Sequence, residues 1–240
     1  QSVETNKKVG TLYIDNPPGQ AFSDPKLGLP AGISGAGYQE FSAGKFQIAT
    51  DDFTNQIALF KNNGVDIVSG FTFSNHWVTL WNQAAQAGFK PQICTVAAAF
   101  LFPAAVNALG DRGDGMSTEV WWTPTHPYKS SLSGVSAADL AKGYEQASGK
   151  QWTQPIGFVH SLFEVAIDAI KRSGDPSDGA ALAKAIGATK LDTIVGQVAF
   201  GSSAVPPFAA KNIAKTPLVG GQWRLNGDKY DMVITEIGRA

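Results

Sequence analysis

The chain has 240 residues, 43% hydrophobic and 16% charged, with a formal net charge of −1. That length suits one large or two small domains and is enough to bury a core. The near-neutral charge and the lack of a basic run exclude nucleic acid or an anionic membrane as an electrostatically driven partner. No apolar stretch approaches a membrane span, and no signal peptide precedes Gln1. A mature form would lack such a signal, so its absence does not point to the cytoplasm. The single cysteine, Cys94, can form no internal disulfide and reads as a small buried hydrophobe beside Ile93.

In chain order, Val9–Asp15 is an apolar β-rich run that ends in the turn signal Asn16-Pro17-Pro18-Gly19. Phe22–Tyr38 should be helical, but Pro30 and four interior glycines make it irregular or late-starting. Lys45–Thr50 is the expected second strand. Asp52 is the expected N-cap of a helix whose Phe53, Ile57 and Phe60 share a face. Asn63-Gly64 stops it, and Val65–Ser69 is a third strand. Ser74 or Asn75 can cap the next helix, where Trp77, Leu80, Trp81, Ala84, Ala85 and Gly88 form one stripe.

Gln92–Val96 is a fourth strand, followed by a helix over Leu101–Leu109 and a strand near Thr118–Thr123. Short loops between apolar strands and helices imply an α/β fold, with a parallel sheet covered on both faces. Pro124–Gly134 resembles a connector. Helices over Ala137–Ser148, Phe158–Arg172 and Ala180–Ile186 come next, then a strand over Val195–Phe200. Leu218–Leu225 and Tyr230–Ile237 flank Asn226-Gly227-Asp228 as a hairpin.

No catalytic constellation emerges. Gly143–Lys150 is one residue too long for a phosphate loop and ends a helix, and Gly32, Gly35 and Gly37 lack dinucleotide spacing. Asp51-Asp52 is better explained by helix capping than by acid–base work. His76, His126 and His160 are scattered, and Ser161 lies in a helical run rather than a nucleophile elbow. The expectation is no enzyme, no metal and no cofactor.

The stretch Asp51–Cys94, DDFTNQIALFKNNGVDIVSGFTFSNHWVTLWNQAAQAGFKPQIC, resembles the branched-chain-amino-acid (type I) periplasmic solute-binding proteins. That family repeats Asp-Phe-x-x-x-Ile, an apolar helix, an Asp-x-Val strand and a Gln-Ala-x-x-x-Gly-Phe-Lys-Pro helix end. The segments Leu12–Gly19, Asp114-Gly115 with Pro124, Gly157–Ile170 and Val195–Phe200 keep the family's order. The resemblance implies a doubly wound α/β lobe plus segments of a second, incomplete one. Residues 1–153 and 216–240 would form the family's second lobe. Residues 154–215 would belong to a first lobe whose N-terminal part, about 100–150 residues as for an ordinary domain, is not in this sequence.

Ligands of open parallel sheets bind beyond the strands' carboxyl ends, which places the loops Asn16–Gln20, Gly70–Asn75, Val96–Phe100 and the region of Asp114 at the site. By resemblance the contacts are Pro18, Phe71, Thr72, Phe73, Ser74, Ala97, Ala98 and Ala99. Asp114 would hold a ligand ammonium, and His160 and Phe163 would complete the rim. Phe71 and Phe73 fit core packing equally well, and Asp114 also fits a plain turn. Trp77 and Trp81 read as core, whereas of Trp121 and Trp122 one faces inward and the other outward.

The resemblance implies an extracytoplasmic or periplasmic protein of an ABC transporter. It would capture a small solute, amino acid-like or an aromatic or apolar acid, and deliver it to membrane permease subunits. The alternative is the ligand-binding sensor domain of a regulator or receptor. The 158–172 helix, apolar on two sides, is expected to pack in a non-family way, to aggregate, or to be buried against a second copy or a first-lobe partner.

Overall fold

The computed structural model describes residues 3–236. Two compact units are present, one of residues 3–119 with 220–236 and one of residues 120–219. The chain passes between units near Val120, whereas the resemblance places the lobe boundary at 153/154.

The first unit is built on β1 (Lys8–Ile14), α1 (Pro17–Phe22), α2 (Leu29–Gly35), β2 (Gln39–Phe46), α3 (Thr54–Asn62) and β3 (Ile67–Phe71). Next come α4 (Ser74–Gln86), β4 (Ile93–Ala97), α5 (Pro103–Asn107), a 3-10 turn at Gly110–Gly113, and β5 (Ser117–Val120). The second unit holds α6 (Ala137–Ser148), α7 (Pro155–Ser173), α8 (Gly179–Gly187), β6 (Lys190–Thr193), β7 (Gly196–Ala199) and α9 (Pro207–Ala210). The chain then adds β8 (Val219–Asn226) and β9 (Lys229–Glu236) to the first sheet.

That sheet has seven strands in the order β2-β1-β3-β4-β5-β8-β9. β1 runs parallel to β2 and to β3, and β3–β4 and β4–β5 are parallel as well. The α/β fold with a mostly parallel sheet is therefore as expected. Side chains alternate across β1. Val9 packs with Ile67 and α2's Ile33 on one face. Gly10 faces the other, where a Cβ would lie 2.6 Å from the ring of Phe60 on α3. Helices thus cover both faces, and a glycine lets α3 sit close.

β5 is joined to β8 through a bulge: Gly115 donates to Trp223 O and Trp223 N–H donates to Met116 O, each at 2.9 Å. Two residues oppose one, and the first is a glycine at φ +85°, the geometry of a glycine-led antiparallel bulge. β8 and β9 form the expected hairpin around Gly227; Ile237 lies outside the described residues.

Several boundaries differ from the sequence reading. The second strand is Gln39–Phe46 rather than Lys45–Thr50, because residues 39–42 pair in register with Lys8–Thr11. Within Phe22–Tyr38 the helix starts late, as expected, as α2 over Leu29–Gly35, while Phe22 closes the preceding α1. Phe53, not Asp52, occupies the α3 N-cap, although the Asp52 carboxylate accepts from Thr54 N–H at 2.9 Å. Ser74 is the first residue of α4 rather than its cap, and its hydroxyl donates to Ala99 O at 2.9 Å. The 190–193 strand went unread.

Tyr13 is buried on β1 and donates to Glu40 Oε1 at 3.3 Å. Burial above all pushes its ionisation from 10.0 to about 12, with the Thr11 hydroxyl opposing and the Glu40 charge adding. The unfolded phenol ionises first, so stability is intact below pH 10 and falls as pH rises from 10 towards about 12. Urea titrations across that range should show a shallower alkaline decline for Tyr13→Phe. An unchanged slope would count against a buried neutral phenol.

Candidate functional site

The carboxyl ends of β1, β3 and β4 bring three loops to one edge of the first unit's sheet. After β1, the Asn16 side chain caps α1 by accepting from Gly19 N–H at 2.8 Å. Pro18 lies in this turn, exposed. Gly19 is buried at closest approach, since a Cβ there would lie 1.9 Å from Ile14 O. Phe71 ends β3, and Thr72 and Phe73 lead into α4 at Ser74. Thr72 is buried, with its N–H donating to Ala97 O at 3.2 Å and its hydroxyl without a partner.

Rings line this edge. Phe22 lies 5.0 Å from Phe71, centroid to centroid, and Phe71 lies 6.1 Å from Phe73. Phe73 in turn stacks on His76 at 6.2 Å. Phe22 and Phe73 are 39% and 38% exposed, so these two rings are partly accessible while the far end of the series runs into the core at His76. His76 is buried among Phe46, Phe53 and Phe73. Its Nε2 lies 2.9 Å from Ile48 O and donates to it, and Nδ1 has no partner.

After β4, Ala97 and Ala98 continue the edge and Ala99 is buried. Ala98 has φ +62°, a conformation that favours glycine, and its N–H donates to Glu119 Oε1 at 3.1 Å. The other Glu119 oxygen accepts from the Thr118 hydroxyl at 2.7 Å.

Eight of the candidate residues therefore come to one edge or its loops: Pro18, Phe71, Thr72, Phe73, Ser74, Ala97, Ala98 and Ala99. Asp114 does not join them. It precedes β5, and because Thr95 is level with Ser117 in parallel register, it lies at the amino end of the sheet. There its Oδ1 accepts from Leu225 N–H at 2.8 Å and its Oδ2 lies 3.3 Å from Arg224. Its carboxylate fastens the start of β5 to β8. Asp114→Asn is expected to leave ligand affinity unchanged and to lower stability by about 0.5–1.5 kcal/mol, the worth of an ordinary hydrogen bond. Calorimetry and urea melts on the same samples check both halves; a lost affinity would return Asp114 to the site.

His160 and Phe163 lie on α7 in the second unit. His160 Nε2 is hydrogen-bonded to Ser130 Oγ at 2.7 Å, and Phe163 is exposed. Phe158 and Ile167 are half-buried on this helix, while Val159, Leu162, Phe163 and Ile170 remain exposed. The same unit carries an apolar groove of about 800 Å³ lined by Trp121, Phe158, Val205, Phe208, Ile213 and Leu218. Trp122 is fully buried, and Trp121 turns to this groove.

Sequence reasoning missed Phe22 and Glu119. Phe22 sits in a segment read as one helix, and only the fold brings it beside Phe71. Glu119 sits inside a strand, where nothing marks it as the partner of Ala98. Among the described residues no group of His, Cys, Asp and Glu could hold a metal ion, and no helix is long and apolar enough to cross a membrane.

A family model described as periplasmic binding protein matches residues 2–214. The chain belongs to that family, the one expected from Asp51–Cys94. A leucine-binding protein from Thermotoga maritima is similar in structure, with a TM-score of 0.73, 17% identity, and coverage of 95% of this chain and 59% of that one. An ABC-transporter solute-binding protein from R. palustris, in complex with benzoate, has a TM-score of 0.73 at 15% identity, covering 97% and 59%. One from Rhodopseudomonas palustris BisB5, in complex with 3,4-dihydroxybenzoic acid, has a TM-score of 0.71 at 18% identity, covering 95% and 59%. The chain thus spans 59% of the length of each of these structures. No curated protein matches it significantly.

Proposed function

We propose that this chain is part of an extracytoplasmic solute-binding protein of an ABC importer, which captures a small solute and passes it to permease subunits without catalysis. The observation that carries this reading is the carboxyl edge of the first unit, where accessible rings and three loops meet on a rigid parallel sheet. Family membership supports it, as do structural neighbours described as leucine-binding or as bound to benzoate and 3,4-dihydroxybenzoic acid. The solute on this reading is amino acid-like or an aromatic or apolar acid. Native mass spectrometry of freshly purified protein should reveal a co-purified small molecule, released on denaturation. Turnover of esters, amides or phosphates would argue for an enzyme instead.

We assign residues 154–215 to the family's first lobe, as the resemblance implies, and the exposed side of α7 to contact with a second copy or a first-lobe partner. Fully burying each large apolar side chain is worth roughly 1.5–3 kcal/mol, so Leu162, Phe163 and Ile170 favour such a contact. Light scattering should show association of the 240-residue chain, weakened by Leu162→Lys. A stable monomer at high concentration would remove the assignment.

A further inference from the structure

Building on the reading of the carboxyl edge as the solute surface, we infer that Glu119 is a positioning residue for that surface, acting through the backbone of Ala98. Ala98 has φ +62°, a conformation that costs an alanine energy and persists only where its surroundings over-determine it. Glycine would take it freely. The loop after β4 must therefore be held, and hydrogen bonds at three consecutive residues hold it. Ala97 O accepts from Thr72 N–H at 3.2 Å, Ala98 N–H donates to Glu119 Oε1 at 3.1 Å, and Ala99 O accepts from the Ser74 hydroxyl at 2.9 Å.

The outer two of these bonds tie the β4 loop to the loop after β3. Thr72 stands between Phe71 and Phe73, and Ser74 opens α4. A change at Ala98 is therefore passed through its two neighbours to the rings and to the helix start. The middle bond is charge-assisted, and such bonds are about twice as strong as neutral ones. Its acceptor is braced in turn, because Glu119 Oε2 accepts from the Thr118 hydroxyl at 2.7 Å. Strand register delivers the carboxylate to this place. Ser117 is level with Thr95, so Glu119, two residues on, reaches the start of the β4 loop. The neighbouring acid Asp15 is engaged elsewhere, with Gln20 at 3.2 Å and Gln47 at 3.0 Å. Glu119 thus governs the shape of a surface to which it contributes neither a ring nor a loop.

Amide hydrogen exchange and ring-proton shifts, read by NMR on the 240-residue chain, test this. In Glu119→Ala the amides of Ala98 and Thr72 should exchange about ten-fold faster, the population shift that the cost of a left-handed alanine corresponds to. The ring protons of Phe71 and Phe73 should shift as well. Glu119→Gln should restore both readouts, since its amide oxygen still accepts from Ala98 N–H and its NH₂ can donate to Thr118. Adding Ala98→Gly to Glu119→Ala should return Thr72 exchange and the ring shifts towards the parent, because glycine keeps the loop conformation without the carboxylate. Asp114→Asn, which loosens β5 at the other end of the sheet, should leave the ring shifts in place. If Glu119→Ala does not fold, Ala98→Val supplies the same readout with the carboxylate intact, since a β-branched residue resists positive φ.

Parent-like exchange and ring shifts in Glu119→Ala would overturn the inference, since the loop would then hold Ala98 unaided. Ring shifts unmoved in Ala98→Val would overturn it too. So would a loss in Glu119→Ala that Ala98→Gly does not relieve, which would make Glu119 a support of β5 and not of the loop. These readouts need no solute. Failure here therefore leaves the wider reading to the co-purification experiment, and failure of that experiment leaves the hold of Glu119 on the loop standing.

Discussion

Gly70→Ala should lower the unfolding free energy by about 3–5 kcal/mol, in the range reserved for backbone conflicts in a core. Gly70 lies on β3 opposite Leu12 of β1. A Cβ there would be 2.0 Å from Leu12 O, and the residue's φ is +136°. The obstacle is main chain of a neighbouring central strand, so no side-chain rotation relieves it. Gly44→Ala is the control, because φ is +74° there yet nothing lies within 4 Å. It bears only the conformational cost, about 1–2 kcal/mol. Urea midpoints for the two variants separate strain from collision, and equal midpoints would refute the close approach. Gly70 immediately precedes Phe71, so a shifted β3 should also disturb the ring series.

Glu164→Ala is expected to cost about 2–5 kcal/mol in the second unit, from the lost hydrogen bonds and the cavity left behind. Glu164 on α7 is fully buried. Its Oε1 accepts from Ser131 N–H at 2.5 Å and from Ser131 Oγ at 2.9 Å, and its Oε2 accepts from Ile194 N–H at 3.0 Å. One carboxylate thus ties the helix to the 130–131 loop and to the residue after β6. Alanine would leave the buried Ile194 N–H without its acceptor, and would leave a cavity as well. Glutamine keeps the shape but turns an NH₂ towards a donor, so it should be only partly tolerated. Asp168→Ala is the contrast. Its pair with Arg172, at 2.6 Å, is about one-third exposed, and such i,i+4 pairs contribute about 0.3–0.5 kcal/mol. Thermal melts giving the two alanine variants equal losses would mean that Glu164 holds nothing together.

The legible parts of this fold were those decided by local chemistry. α6 has the ends expected of it because Ser136 caps it by accepting from Asp139 N–H at 3.1 Å, and Gly149 stops it at φ +68°. β2 was misplaced because its polar residues carry no periodic signal, and only pairing with β1 makes Gln39–Phe46 a strand. At the candidate site, the loop after β1 was legible from its turn residues, and those after β3 and β4 from the strand readings and the rule that ligands bind at the strands' carboxyl ends. Asp114 could not be placed, since an Asp-Gly turn looks the same at either end of a strand. Glu119 and Phe22 acquire their neighbours through contacts distant in sequence, which no spacing rule encodes.

The antiparallel bulge at Gly115 has a consequence for how the molecule is made. Because β5 and β8 are sheet neighbours running in opposite senses, residues 120–219 are an insertion between adjacent strands. On the ribosome, β1 to β5 emerge first and must wait for that whole insertion before β8 arrives to cover the β5 edge. An uncovered edge is a template for foreign strands, so the nascent chain is most vulnerable during this interval. Joining β5 to β8 directly through a short turn would remove the wait and yield a minimal, single-sheet version of the first unit.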